Sequence, residues 1–329
     1  RIMAFPIRSA QGQIRVTQPL QALKRAGQAQ ICLFTPSTEL SDIPLAEDLA
    51  RHRPDTIVTH QFIGPDCLAA MRQWRKHMRD AFLVYSVDDL MTQMPIHSSL
   101  RLGVPADTRS YLSRALQCSD RLVVSTDHLA EAYGHLARET CVVPNRLERD
   151  LWVPLQSGRR STPRPRVGWA GGTAHTGDLQ VIAELVAATA QEVDWIFMGM
   201  CPDNIRPHVR EFHPFGDYRN YPQRLAALNL DLAVAPLEQI PFNRGKSNLR
   251  LLEYGILGIP VICTDIDPYR DSPACKVPNR PQAWLEALRA RIHDLDATAR
   301  EGDAMRQWVL KHYILEDHLD EWMRAYSPN

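Results

Sequence analysis

The densest group of residues able to do chemistry lies between Asp231 and Cys263. It reads Asp231-Leu-Ala-Val-Ala-Pro-Leu237, then Phe242-Asn-Arg-Gly-Lys-Ser-Asn-Leu-Arg-Leu-Leu-Glu-Tyr-Gly255, then Gly258-Ile-Pro-Val-Ile-Cys263. A strand runs into a polar loop, and the loop into a helix whose first turn is expected to hold Lys246, Ser247 and Asn248. A helix start offers free N–H groups and the positive end of the dipole, which suits phosphate, and a lysine adds a full charge. Glu253 follows Lys246 by seven positions, nearly two turns, placing both on one face about 10 Å apart. Such a pair could bracket a nucleotide: diphosphate near Lys246, ribose hydroxyls near Glu253, since a carboxylate accepts from both vicinal hydroxyls. An ordinary amphipathic helix with both side chains in solvent has the same spacing.

A second segment, Val167-Gly-Trp-Ala-Gly-Gly-Thr-Ala-His-Thr-Gly-Asp-Leu179, sets two glycines between a strand and a helix. Gly171 and Gly172 permit positive φ there and let a ligand approach the backbone. Thr176 or Asp178 could cap the helix, and His175 is expected to point into the loop region. A tight turn without a ligand accounts for the same residues. The pattern is neither G-x-G-x-x-G nor a P-loop, which argues against a dinucleotide dehydrogenase or an NTPase. In the first half, His60 follows the run Thr56-Ile-Val-Thr59, and Gly12 lies in the loop expected after the first strand. Asp88-Asp89 has the form of a cation-binding pair, but a loop or capping role is favoured; if functional, acceptor binding or general-base work fits it better.

These groups need elements to position them. Apolar runs expected as strands (Ile2–Ile7, Gln30–Phe34, Thr56–Thr59, Ala81–Ser86, Arg121–Val124, Thr140–Pro144) alternate with helical patterns at Val16–Gly27, Pro65–Arg79, Ser110–Gln117 and His128–Tyr133. Leu151–Pro165, with its prolines and Ser157-Gly-Arg-Arg-Ser161, has the composition of a linker. The alternation restarts with strands at Arg166–Ala170, Asp194–Met198, Asp231–Ala235 and Pro260–Cys263. Helices are expected between them at Leu179–Ala190, Tyr221–Leu228 and Ser247–Gly255, and Pro281–Tyr326 reads as helical. The pattern implies an α/β chain of two Rossmann-like, doubly wound parallel-sheet domains facing a cleft. The expected boundaries are 1–150, a linker at 151–165, a second domain at 166–310, and a C-terminal helix at 311–329 packing back on the first.

Composition agrees. At roughly 150 residues per domain, 329 residues make two. Lys+Arg 38 against Asp+Glu 38 leaves no net charge, so the basic field of a non-specific nucleic-acid binder is missing. No apolar stretch approaches the roughly 18 residues of a membrane span, and a cytoplasmic protein is expected. The seven cysteines are scattered without a C-x-x-C pair, which disfavours a metal site or disulfide framework. Cys32, Cys141 and Cys263 lie in apolar runs, as small hydrophobes do. The chain begins without an initiator Met, as a domain cut from a longer protein would.

Taken in order, Gly-Trp-Ala-Gly-Gly-Thr-Ala-His, Asp-Leu-Ala-Val-Ala-Pro-Leu, Phe-Asn-x-x-Lys-Ser, Leu-Glu-Tyr-Gly and Gly-Ile-Pro-Val-Ile resemble the C-terminal domain of bacterial GT-B glycosyltransferases. These are related to the large retaining group that includes sucrose, glycogen and lipopolysaccharide glycosyltransferases. The resemblance covers residues 166–270 specifically and residues 1–150 more weakly, through Arg15-Val-x-x-Pro-Leu-x-Ala-Leu-x-x-Ala-Gly27 and Val142-Val-Pro-Asn145. It implies a nucleotide-diphosphate sugar donor held by the second domain and a glycan, lipid-linked or protein acceptor held by the first. No cofactor, metal or nucleic-acid partner is implied. His60 and Lys246 are then the catalytic candidates, and Gly12, Gly171, Gly172, His175, Asn243, Lys246, Ser247 and Glu253 the donor-binding ones. One departure stands out: the sugar-contacting glutamate of the retaining group would fall on Gly245, so Asn243 or the amides of Asn243–Gly245 are expected to replace it. A sugar-nucleotide epimerase and a catalytically silent nucleotide-sugar-binding module remain alternatives.

Overall fold

The apolar runs pair into two separate six-stranded sheets, and every pairing is parallel. The computed structural model describes residues 1–7, 9–34, 43–95 and 105–328. The first sheet contains β1 (Ile2–Phe5), β2 (Ile31–Leu33), β3 (Thr56–His60), β4 (Phe82–Val87), β5 (Arg121–Val124) and β6 (Glu139–Val142), in the order β2-β1-β3-β4-β5-β6. The second contains β7 (Arg166–Ala170), β8 (Asp194–Gly199), β9 (Glu211–Pro214), β10 (Leu232–Ala235), β11 (Val261–Thr264) and β12 (Cys275–Val277), in the order β12-β11-β10-β7-β8-β9.

Parallel strands covered on both faces read as continuous apolar runs, because alternate side chains enter different cores. Met3 and Phe5 of β1 join Trp74 and Met71 of the helix Pro65–His77, while Ile2 and Ala4 join Leu20 and Leu23 of the helix Gln18–Arg25. The second sheet divides likewise. Trp169 and Phe197 pack with Trp284 on one face; Ala170, Ile196 and Met198 pack with Leu251 and Leu252 on the other.

Several local expectations change. The first helical segment begins at Ala10 and passes through a π-helical turn, Gln13–Thr17, before Gln18–Arg25. Gly12 is therefore inside a helix and not in a loop; a Cβ there would stand 2.0 Å from the Ile7 carbonyl oxygen, so glycine lets the helix lie against the preceding strand end. The stretch expected as one helix at Leu179–Ala190 divides into Thr176–Gln180 and Ala183–Thr189, with the β-branched pair Val181-Ile182 at the break. The helical turn Arg149–Trp152 runs into the start of Leu151–Pro165 and buries Trp152 in the second core. Cys263 is buried, but Cys32 is exposed because β2 is an edge strand, and all seven thiols are free.

The chain crosses back at its end. Leu315 N donates to the Leu147 carbonyl at 2.9 Å, and Trp322 and Tyr326 of the helix Leu319–Tyr326 are fully buried with Val16 and Leu20 of the first domain. Among the described residues, no helix is long and apolar enough to cross a membrane.

Candidate functional site

In open parallel sheets, ligands sit beyond the carboxyl ends of the strands where the strand order reverses. Both sheets direct that point at one cavity of about 370 Å³ between the domains. The second domain contributes Gly171–His175 after β7, Phe215 and Tyr218 after β9, and Phe242, Lys246 and Ser247 after β10. The first contributes Ser9–Gln11 after β1, Asp88 and Asp89 after β4, and Asn145 after β6.

Lys246, Ser247 and Asn248 precede the helix and do not form its first turn; the helix runs Leu249–Ile256, with Asn248 at its boundary. Lys246 and Glu253 nevertheless line the same cavity, joined by Arg250 between them. Arg250 lies three residues before Glu253 and therefore on the same helical face. Its guanidinium carbon stands 5.1 Å from the Trp169 ring centre, and Gly171 leaves room for it: a Cβ on Gly171 would come within 2.7 Å of Nη2. Arg250 Nη1 is buried with no hydrogen-bond partner among the described residues. Sequence reasoning missed this arginine, although its place between Lys246 and Glu253 was a usable signal.

A charged network orders these cations. His175 Nδ1 lies 2.7 Å from Asp178 Oδ2, and its Nε2 lies 3.2 Å from Arg250 Nη2. Burial, then the Lys246 and Arg250 charges, lower the His175 pKa to about 3, so the ring is neutral. The pattern fits a proton on Nδ1 donated to Asp178, with Nε2 accepting from Arg250. Burial opposes the Asp178 charge, but His175 and Lys246 hold its pKa at about 2. Asp178 thus anchors the site and caps nothing: it accepts from the Glu238 amide at 2.8 Å and from Asn243 Nδ2 at 2.7 Å. The Lys246 ammonium, 3.8 Å from Asp178, has its pKa lowered by burial and supported by Asp178 and Asp89.

Glu253 accepts a 3.0 Å hydrogen bond from the Tyr221 hydroxyl. Burial outweighs Arg250 and raises its pKa to about 7. Between the ordinary 4.5 and about 7 the unfolded chain loses this proton while the folded one keeps it, so stability falls as pH rises through that window. Glu253→Gln is expected to raise the Tm at pH 8 and to leave it nearly unchanged at pH 4.5; parallel melting curves at both values check this. Beyond Glu253, Tyr221 stacks with Tyr218 and with Phe215, which is 50% exposed.

Other expected residues lie elsewhere. His60 is fully buried off the cavity wall, its Nε2 3.2 Å from Oδ1 of Asp88; Asp88 and Asp89, in the loop after β4, line the cavity. Burial and the neighbouring Asp88 raise the Asp89 pKa to about 6, against Lys246 and a hydrogen bond from Gln11. Asn243 is buried behind the wall, donating to Asp178 and to the Glu238 carbonyl. Gly12 is likewise off the cavity, whereas Gly171, Gly172, His175 and Ser247 line it. Neither Gly171 nor Gly172 adopts positive φ; Gly171 makes space for Arg250 and Trp169, whereas a Cβ on Gly172 would meet nothing within 4 Å. At Gly245 a Cβ would come within 3.2 Å of Leu129 and Leu90 of the first domain, so any larger residue there requires those side chains to give way.

No family model and no curated protein matches the sequence. Solved structures match the fold along nearly its whole length. A sucrose-phosphate synthase from Thermosynechococcus elongatus superposes with a TM-score of 0.67 at 16% identity, covering 98% of each chain. HepE from Anabaena, solved in complex with UDP and glucose, gives 0.66 at 15% identity, and an α-glucosyltransferase in complex with UDP gives 0.67 at 11%, each again over 98% of both chains. The fold is thus GT-B. Within that architecture this chain is similar to glycosyltransferases that have been solved with UDP bound.

Proposed function

We propose that this protein is a glycosyltransferase that moves a sugar from a nucleoside-diphosphate donor to a hydroxyl of a glycan, lipid-linked or protein acceptor, in the cytoplasm, with retention and without a metal ion. The observation that carries this reading is the order of groups along the cavity: Lys246 and Arg250, with one buried nitrogen of Arg250 unpartnered, then Glu253, then the rings of Tyr221, Tyr218 and Phe215. Two cations match a diphosphate, a carboxylate matches vicinal ribose hydroxyls, and the half-exposed Phe215 ring, beside the more buried Tyr218 and Tyr221, matches a base. UDP in the similar structures supports the same reading.

The chemistry follows from charge. Cleavage of the bond between the anomeric carbon and the phosphate oxygen leaves negative charge on the diphosphate, which Lys246 and Arg250 are placed to stabilise in a partly water-excluded site. The acceptor oxygen bonds to the anomeric carbon from the face the diphosphate leaves, and its proton passes to the departing phosphate. Gln11, Asp88 and Asp89 of the first domain form the acceptor wall. His60 acts only through Asp88, as a positioning residue.

Thermal shifts with UDP, GDP and ADP test the donor site, because a ligand that binds only the folded state raises its stability by mass action. One nucleoside diphosphate is expected to raise the Tm by several degrees, and the matching nucleotide sugar to be hydrolysed slowly or transferred. No shift with any of them would sink the reading; a shift without turnover of any matching sugar would favour a silent binding module.

A further inference from the structure

Lys246 sits between two hydrogen bonds that come from the other domain. On one side the Thr126 hydroxyl donates to the Gly245 carbonyl at 3.1 Å; on the other, Asn145 Nδ2 donates to Ser247 Oγ at 2.8 Å. Thr126 is the N-cap of the helix Asp127–Tyr133, and Asn145 follows β6. The loop carrying the ammonium is thus clamped on both flanks by the first domain, although its own sheet belongs to the second.

Asn145 is itself held. Arg15, fully buried, donates from Nη1 to the Asn145 side-chain oxygen at 2.9 Å and to the Val143 carbonyl at 2.6 Å. Arg15 lies within the π-helical turn, a distortion that is rare and concentrated at functional sites. The Trp322 ring centre lies 4.9 Å from the Arg15 guanidinium carbon, and the Tyr326 hydroxyl donates to the Arg15 carbonyl at 3.0 Å. A continuous set of contacts therefore runs from the C-terminal helix through Arg15 and Asn145 to Ser247, next to Lys246.

We infer that Asn145 and Thr126 are positioning residues that fix Lys246 for the donor's diphosphate, so that anion binding in the second domain depends on the first domain being docked. The inference rests on the donor reading above, and it makes its own claim about residues that need not touch the donor. An arrangement of this kind couples closure of the cleft to assembly of the leaving-group site, which favours transfer over water attack.

The test compares UDP with uridine on the whole chain, or GDP with guanosine if the wild type prefers GDP. Asn145→Ala and Ser247→Ala remove one bond from opposite ends, so either variant serves if the other folds poorly. Each is expected to weaken diphosphate binding roughly tenfold, the upper reach of one neutral hydrogen bond, and to leave the nucleoside's affinity unchanged. The double variant should lose no more than either single one, and Thr126→Ser should retain the affinity that Thr126→Val loses. Hydrogen exchange without nucleotide should speed up at amides 245–249 in the Asn145→Ala protein. Unchanged exchange, unchanged UDP affinity, or equal losses for UDP and uridine would overturn the inference. A wild type that binds no nucleoside diphosphate overturns the donor reading instead, which the exchange measurement keeps separate.

Discussion

Lys246→Ala should weaken nucleoside-diphosphate binding by about a hundredfold and reduce turnover further still. The ammonium lies in a buried wall with Asp178 3.8 Å away and Asp89 near enough to bias its charge. Removing it deletes a charge-assisted contact, worth roughly 1.5–3 kcal/mol or about one to two decades of affinity. It also leaves Asp89, on the cavity wall, without its cationic neighbour and facing an anionic ligand, which puts the loss at the upper end. Turnover suffers more than binding because negative charge grows on the diphosphate as the glycosidic bond breaks, and a fixed cation is worth most where charge develops. Isothermal titration with UDP and a UDP-release assay separate the two effects, with the exposed Lys311→Ala as a control for net charge. Binding within threefold of the wild type would remove Lys246 from the site.

Arg250→Lys should be nearly as damaging as Arg250→Ala, each costing roughly a hundredfold in diphosphate affinity. Arg250 lies over the Trp169 ring, donates from one nitrogen to His175 Nε2, and keeps Nη1 buried and without a partner among the described residues. Burial works against its charge, but the Tyr254, Tyr221 and Tyr269 hydroxyls and then Glu253 hold the guanidinium more firmly protonated than usual. A lysine reaches into the same space as a point charge, and it cannot keep the ring contact and the histidine bond while offering a further N–H to phosphate. A lysine variant with wild-type affinity would mean that only charge is read there. His175 stays neutral beside this arginine: protonating it would add a third cation next to Lys246 and Arg250, and its pKa of about 3 keeps that state away from physiological pH.

The two arginines and the asparagine show where sequence stops being enough. Lys246, Glu253, Gly171, Gly172 and His175 could be singled out because each sits beside a recognisable strand-to-helix transition, and the cavity gathers them as neighbours at one switch point. Such transitions are local events, written in apolar periodicity and glycine placement. His60, Gly12 and Asn243 stand beside the same kind of transition, yet they face inward. A strand-end histidine can meet solvent or the layer below, and only the packed Asp88 decides which. Gly12 followed from where the first helix begins, and that start lies before the periodic stretch that marks its amphipathic face. Asp88, Asp89, Asn145, Arg15 and Tyr221 come from segments far apart in the chain, and nothing in their own neighbourhoods states that they share a cavity or a relay.

The sequence by itself determined the two alternating α/β blocks and singled out Lys246 and Glu253 of the second, because hydrophobic period and helix starts are properties of a few consecutive residues. Tertiary structure alone decided which groups face the cleft, that Arg250 meets both the Trp169 ring and His175 Nε2, and that the Lys246 loop is gripped by Thr126 and Asn145. Those outcomes depend on contacts between residues separated by as many as 119 positions, and their energies exist only once both sheets are packed and water has been excluded between them.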